Sequence, residues 1–129
     1  MRFFTAIALL LLLSSACTTT EPEIDQSTPE AATKGFFEAL NQGHYDLAGR
    51  YGTDATDESV RHFKTNLKMV SEEEKKVLTA PFEVPLDKVS CTEQQGNTVC
   101  TVVYQNQQEV RAELVQRNDK WFVQMELNF

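Results

Sequence analysis

Histidine is scarce in this sequence: His44 and His62 are the only two. Imidazole chemistry at neutral pH therefore has two candidate groups, and no metal-ligand spacing of His and Cys occurs. There is no glycine-rich phosphate loop, no nucleophile elbow and no internal repeat. No apolar run reaches the roughly 20 residues that cross a hydrocarbon core of about 30 Å. Positive charge is also short, with 12 Lys and Arg against 19 Asp and Glu and a net charge of −7. That balance argues against nucleic acid, whose phosphates need a basic face, and against docking flat on anionic lipid. A solvated acidic surface that favours solubility accounts for it.

What is present starts at the first residues. Met1-Arg2 carries one positive charge, and an uncharged run from Phe3 to Ala16 follows, with five leucines from Leu9 to Leu13. Its length fits the apolar region of a secretory signal. Ser14-Ser15-Ala16-Cys17 then resembles the bacterial lipobox. The resemblance implies lipid transfer to the Cys17 thiol and cleavage after Ala16; Ser14 stands where leucine is commonest. The alternative is an ordinary signal peptide followed by a chance cysteine. Thr18, not aspartate, follows the cysteine, which in a Gram-negative host implies sorting to the outer membrane. The expected address is the bacterial cell envelope, with the membrane as a partner through palmitate and related acyl chains on Cys17. Residues 17–27 read as a lipidated cysteine and a flexible polar tether.

Removing residues 1–16 leaves 113, enough for one domain and too few for two. Eleven positive and nineteen negative charges remain, a net of −8. With Cys17 acylated, Cys91 and Cys100 are left as a pair in an oxidising compartment. Folding residues 89–100 as a hairpin with Gln95-Gly96 at the tip sets the two opposite each other. Counting outward makes this a non-hydrogen-bonded pair with Cα atoms near 4.5 Å, within disulfide range. A free buried pair is the alternative.

The domain, residues 28–129, reads as helices followed by strands. Thr28-Pro29-Glu30 supplies an N-cap hydroxyl, a proline at the first helical position and an early acid. Ala32, Phe36, Phe37 and Leu40 follow at helical spacing until Gly43. A shorter helix covers His44 to Tyr51, and a third begins at Thr56-Asp57-Glu58 with Val60, Phe63, Leu67 and Val70 on one stripe. Glu72 to Lys76 reads as a solvated charge run. Pro81 and Pro85 mark the end of helix, and alternation predicts strands near 84–92, 98–105, 109–116 and 121–128. Trp121, Val123, Met125 and Leu127 share a face. The expected fold class is α+β, with three N-terminal helices packed on a curved four-stranded antiparallel sheet.

The chain resembles small bacterial lipoproteins of the nuclear transport factor 2-like, or cystatin-like, superfamily, in an uncharacterised branch. The residues that carry the match are Thr28-Pro29-Glu30, Phe36 to Gly43, Tyr45, Ala48, Tyr51 and Asp119-Lys120-Trp121-Phe122-Val123. They are packing residues, spread over about 100 positions in the family's order. Arg117-Asn118-Asp119-Lys120 lacks the glycine common in that turn, which leaves the turn type open. The resemblance implies a cone-shaped sheet around an apolar interior that family members use as an active site, as a ligand pocket or as a filled core.

Candidates for chemistry are few. His44 falls at a helix start and His62 beside Phe63 on an expected solvent face. Enzymes of this superfamily that transfer protons resemble one another in placing an Asp, His or Tyr inside the cone; Tyr51, Tyr104 and Asp54 are candidates by residue type, with no spacing that points to them. Phe37, Tyr51, Phe63 and Trp121 are the candidates to line a pocket, against the plainer reading of the aromatics as core. No cofactor and no metal site is indicated. The expectation is an envelope-tethered, non-catalytic binding module for a small apolar ligand or an envelope protein. The alternative is a proton-transfer or hydrolytic enzyme working inside the cone.

Overall fold

The structure is a computed structural model that describes residues 23–127. The signal segment, Cys17 and the first part of the tether lie outside the described residues. Four helices precede four strands: α1 (Pro29–Asn41), α2 (Tyr45–Arg50), α3 (Asp54–Met69), α4 (Glu72–Glu83), β1 (Leu86–Gln94), β2 (Asn97–Tyr104), β3 (Glu109–Arg117) and β4 (Lys120–Gln124). The strands form one open antiparallel sheet in the order β1-β2-β3-β4. The α+β class holds.

The ends of α1 are set by local chemistry. Thr28 accepts a hydrogen bond from the Ala31 amide at 3.1 Å, and Pro29 opens the first turn. At the other end Gly43 has φ +72°, which glycine adopts without strain. Its amide donates to Leu40 O and the His44 amide to Ala39 O, closing both bonds of a Schellman motif.

The third helix starts earlier than its apolar stripe suggests. Thr53 is the N-cap and α3 begins at Asp54, so the first turn is held by a side chain the stripe does not report.

A fourth helix corrects the expectation of three. The Glu72–Lys76 charge run is its first turn and a half, capped by Ser71 accepting from the Glu74 amide at 3.2 Å. Three acids at its N-terminus suit the helix dipole. Pro81 lies inside α4 and does not stop it. Proline removes the bond to the carbonyl four residues back, here that of Val77, a residue 73 % exposed. No residue of α4 is buried. Its C-terminal end is held by Asn41, whose Nδ2 donates to Phe82 O at 2.6 Å and Val84 O at 3.0 Å.

Two hairpin turns take the mirror-image form that matches strand twist. Gln95 and Gly96 have φ of +53° and +81°, and Asn118 and Asp119 have +52° and +63°. The Asn118-Asp119 turn thus does without glycine because both residue types tolerate the left-handed region. Cys91 stands opposite Cys100 and the two are disulfide-bonded, with Cα atoms 4.0 Å apart.

β4 is shorter than expected because its backbone turns to the helices. Its outer edge and the residues just beyond it are held by groups from five residues. The Gln26 carbonyl accepts from the Trp121 amide, and Gln26 Nε2 donates to Trp121 O, both at 2.9 Å. Tyr51 O accepts from the Val123 amide, and the Thr53 amide donates to Val123 O. Beyond the strand, Thr56 Oγ1 accepts from the Met125 amide and Ser59 Oγ from the Leu127 amide, at 3.0 and 2.8 Å. An edge closed in this way offers no template for another strand.

Candidate functional site

The space between α1 and the sheet is the first place to look for a site, because α1 packs against all four strands. Phe36 and Phe37 project from α1 into it, their rings edge to face at 5.1 Å. Tyr104, on the inner face of β2, meets Phe37 edge-on at 6.5 Å. Leu40, Val60, Val102 and Val123 complete a set of side chains with less than 2 % exposure. A second aromatic series runs from Tyr45 to Phe63 at 5.6 Å and on to Phe82 of α4 at 5.5 Å. The first series belongs to one buried hydrophobic cluster between the helices and the sheet, and Tyr45 and Phe82 pack against it.

The four residues singled out as pocket lining take different places. Phe37 and Phe63 are core residues, 1 % and 2 % exposed. Tyr51 lies with its ring against α1 at Gly35, so close that a β-carbon there would overlap the ring. Trp121 is half-buried at the start of β4, its backbone held by Gln26. None of the four lines any of the open surface clefts described between the helices, the strands and the Glu23–Ser27 segment.

Among the described residues the carboxylates, imidazoles, amines and guanidinium groups stay outside. Among the described residues, the buried polar ones are Gln26, Thr33, Thr53 and Thr56, with no carboxylate, histidine, lysine or arginine. Asp54 is exposed, His44 is exposed and makes no side-chain cap, and His62 faces Glu58 across 3.6 Å on the outside of α3. Thr33 Oγ1 is the buried side-chain polar atom without a hydrogen-bond partner among the described residues. No group of three or more His, Cys, Asp or Glu is placed to hold a metal there, and no described helix is long and apolar enough to cross a membrane.

Among the described residues the tyrosines and Asp25 are the groups whose ionisation the fold alters. Burial pushes the Tyr104 phenol up to about 12. Tyr45 is raised by burial and by the nearby Glu83 carboxylate, and Tyr51 by burial and then by Asp25. Asp25 itself is lowered, chiefly by the hydrogen bond from the Ser27 hydroxyl at 2.6 Å.

A raised phenol favours the neutral form in the folded state. Its stabilisation is complete below the unfolded value near 10 and is lost as pH rises towards 12. Alkaline titration of stability is therefore expected to fall across that window by up to about 1.4 kcal/mol per pH unit for one phenol. Tyr104→Phe should flatten the fall, as read by urea unfolding at each pH. An unchanged slope in that variant would show that the phenol is not held away from water.

The long-range partners of the sheet edge were not legible in the sequence. Gln26, Thr56 and Ser59 act on residues 68 to 95 positions away, a relation no local pattern carries. Comparison with protein-family models, with curated proteins and with solved structures finds no match.

Proposed function

We propose that this chain is a lipid-anchored envelope protein whose domain is a non-catalytic interaction module, with a protein as its partner in preference to a small apolar ligand. The observation that carries this reading is the filled interior: the aromatic and aliphatic side chains of α1, α3 and the sheet occupy the space a ligand would need. Acid–base catalysis inside the fold needs a titratable group facing a cavity, and the buried residues offer phenols alone. The cystatin-like resemblance belongs to the same proposal. One long helix laid across a four-stranded meander supports it, and on this reading the sheet curls about α1 as a cone whose interior is core.

Trp121 reports on the interior. Titrating the protein with fatty acids and phospholipids is expected to leave its emission unchanged, with Phe37→Trp in a Trp121→Phe background as the second reporter. A saturable shift from either one would replace the partner reading with a ligand pocket.

The anchor has its own test. Cys17→Ser is expected to abolish acylation and leave precursor that still carries residues 1–16. Inhibition of the lipoprotein peptidase with globomycin should leave a precursor of the same chain length in the wild type. Normal processing of the Cys17→Ser chain would remove the lipobox from the account.

A further inference from the structure

The two edges of the sheet differ. β4 is closed by Gln26, Tyr51, Thr53, Thr56 and Ser59, whereas among the described residues β1 carries nothing comparable. Counting outward from the Gln95-Gly96 turn, Gln94–Asn97, Thr92–Val99, Ser90–Thr101 and Lys88–Val103 are the pairs that exchange hydrogen bonds with β2. The N–H and C=O groups of Val89, Cys91 and Glu93 therefore point outward. Among the described residues no hydrogen bond reaches them. Ser90, Thr92 and Glu93 are exposed and Val89 and Cys91 half-buried. The Cys91–Cys100 bridge ties this edge to β2 in one register. Beside it α1 forms the other wall of an open groove, with Ala31, Lys34 and Glu38 facing Leu86 to Val89.

We propose that this edge pairs antiparallel with the same edge of a second copy of the chain, about a two-fold axis through Cys91. The outward amides and carbonyls recur at every second residue, a spacing that another extended backbone matches. The sequence is self-complementary in one register. With the axis at Cys91, Val89 meets Glu93 of the second copy, Cys91 meets Cys91, and about six backbone hydrogen bonds form.

No like charges oppose each other in that register. Lys88 then stands opposite Gln94 and Asp87 opposite Gln95 of the second copy. Moving the axis to Ser90 instead sets Asp87 directly against Glu93, which repels. A shift that moves the pairing by a single residue presents the inward groups and forms no ladder. A two-fold pairing also closes the assembly, because β4 has no free edge to extend it.

The test uses the full chain in detergent matched to solvent density, followed by sedimentation velocity and amide hydrogen exchange from micromolar to sub-millimolar protein. A dimer is expected, with the amides of Val89, Cys91 and Glu93 becoming protected as it forms. Glu93→Pro removes one outward N–H per copy and no bond to β2. It is expected to weaken the dimer by roughly tenfold or more while the disulfide stays closed. A monomer at every concentration would overturn the proposal, and so would a dimer indifferent to Glu93→Pro. Protection independent of concentration would also overturn it, since the chain's own residues would then cover the edge. None of these outcomes bears on whether a different protein binds the module, so the functional proposal stands or falls separately.

Discussion

Phe36→Ala is expected to destabilise the domain by about 3–5 kcal/mol, the range for truncating a fully buried phenylalanine. Phe36 is 0 % exposed and sits edge-on to Phe37 at 5.1 Å, between α1 and the sheet. The loss has two parts, the transfer of the ring's apolar surface and the void it leaves. The void is costly here because the neighbours cannot easily collapse. α1 is held at both ends, by the Thr28 cap and the Gly43 turn, and the β4 edge beside it is held by Gln26 and Tyr51. For a domain near this size each kcal/mol lowers Tm by about 4–8 °C, so a fall of at least roughly 12 °C is expected. Urea unfolding followed by circular dichroism measures it. A cost below about 1 kcal/mol would mean that the interior is loosely filled, and the case for a packed core in place of a pocket would fail with it.

Replacing both bridge cysteines, Cys91→Ala with Cys100→Ala, is expected to cost about 2–3 kcal/mol. The bridge spans a sequence separation of 9, so the chain-entropy contribution through the unfolded state is modest for a disulfide. The hairpin should nevertheless survive, since its ladder runs from Gln94–Asn97 down to Lys88–Val103 without the sulfurs. Loss of stability with retained strand content is therefore the expected result. Thiol titration of the unfolded wild-type chain after secretion, before any reductant, should find neither Cys91 nor Cys100 free. Two reactive thiols, or a double variant as stable as the wild type, would show that the bridge is absent from the secreted protein.

How much of this was legible beforehand differs from element to element. α1 could be read from end to end because its signals are local: Thr28-Pro29 to start, Phe36, Phe37 and Leu40 along one face, Gly43 to stop. The Cys91–Cys100 pairing followed from one hairpin and its count, and the structure places the two residues opposite each other. The alternation of Trp121, Val123 and Leu127 located β4 and its inner face.

α4 was missed because periodicity reports burial, and this helix has no fully buried residue, only Leu78 and Phe82 partly packed on the core. Its cap is local, Ser71 accepting from the Glu74 amide, but Pro81 and Pro85 read as the end of helix. The start of α3 was placed two residues late because Thr53 belongs to a cap and not to the stripe. The end of β4 was overrun because Met125 and Leu127 keep the alternation while their amides bond to Thr56 and Ser59. For the site the balance is different. Phe37, Phe63, Tyr51 and Trp121 are recognisable as inward residues from spacing alone. Whether inward means pocket or core depends on how tightly α1 and α3 close on the sheet, which is a sum over many contacts and leaves no signature in any one segment.

The proposed function requires a packed domain that works through a protein partner from a lipid anchor. Native mass spectrometry of the wild-type protein extracted from the envelope tests that most directly. The predicted spectrum shows a chain that begins at Cys17, heavier than its polypeptide by the mass of acyl chains, and bound to a second polypeptide. A chain still carrying residues 1–16 without lipid, or one holding a stoichiometric small molecule in place of a protein, would contradict it.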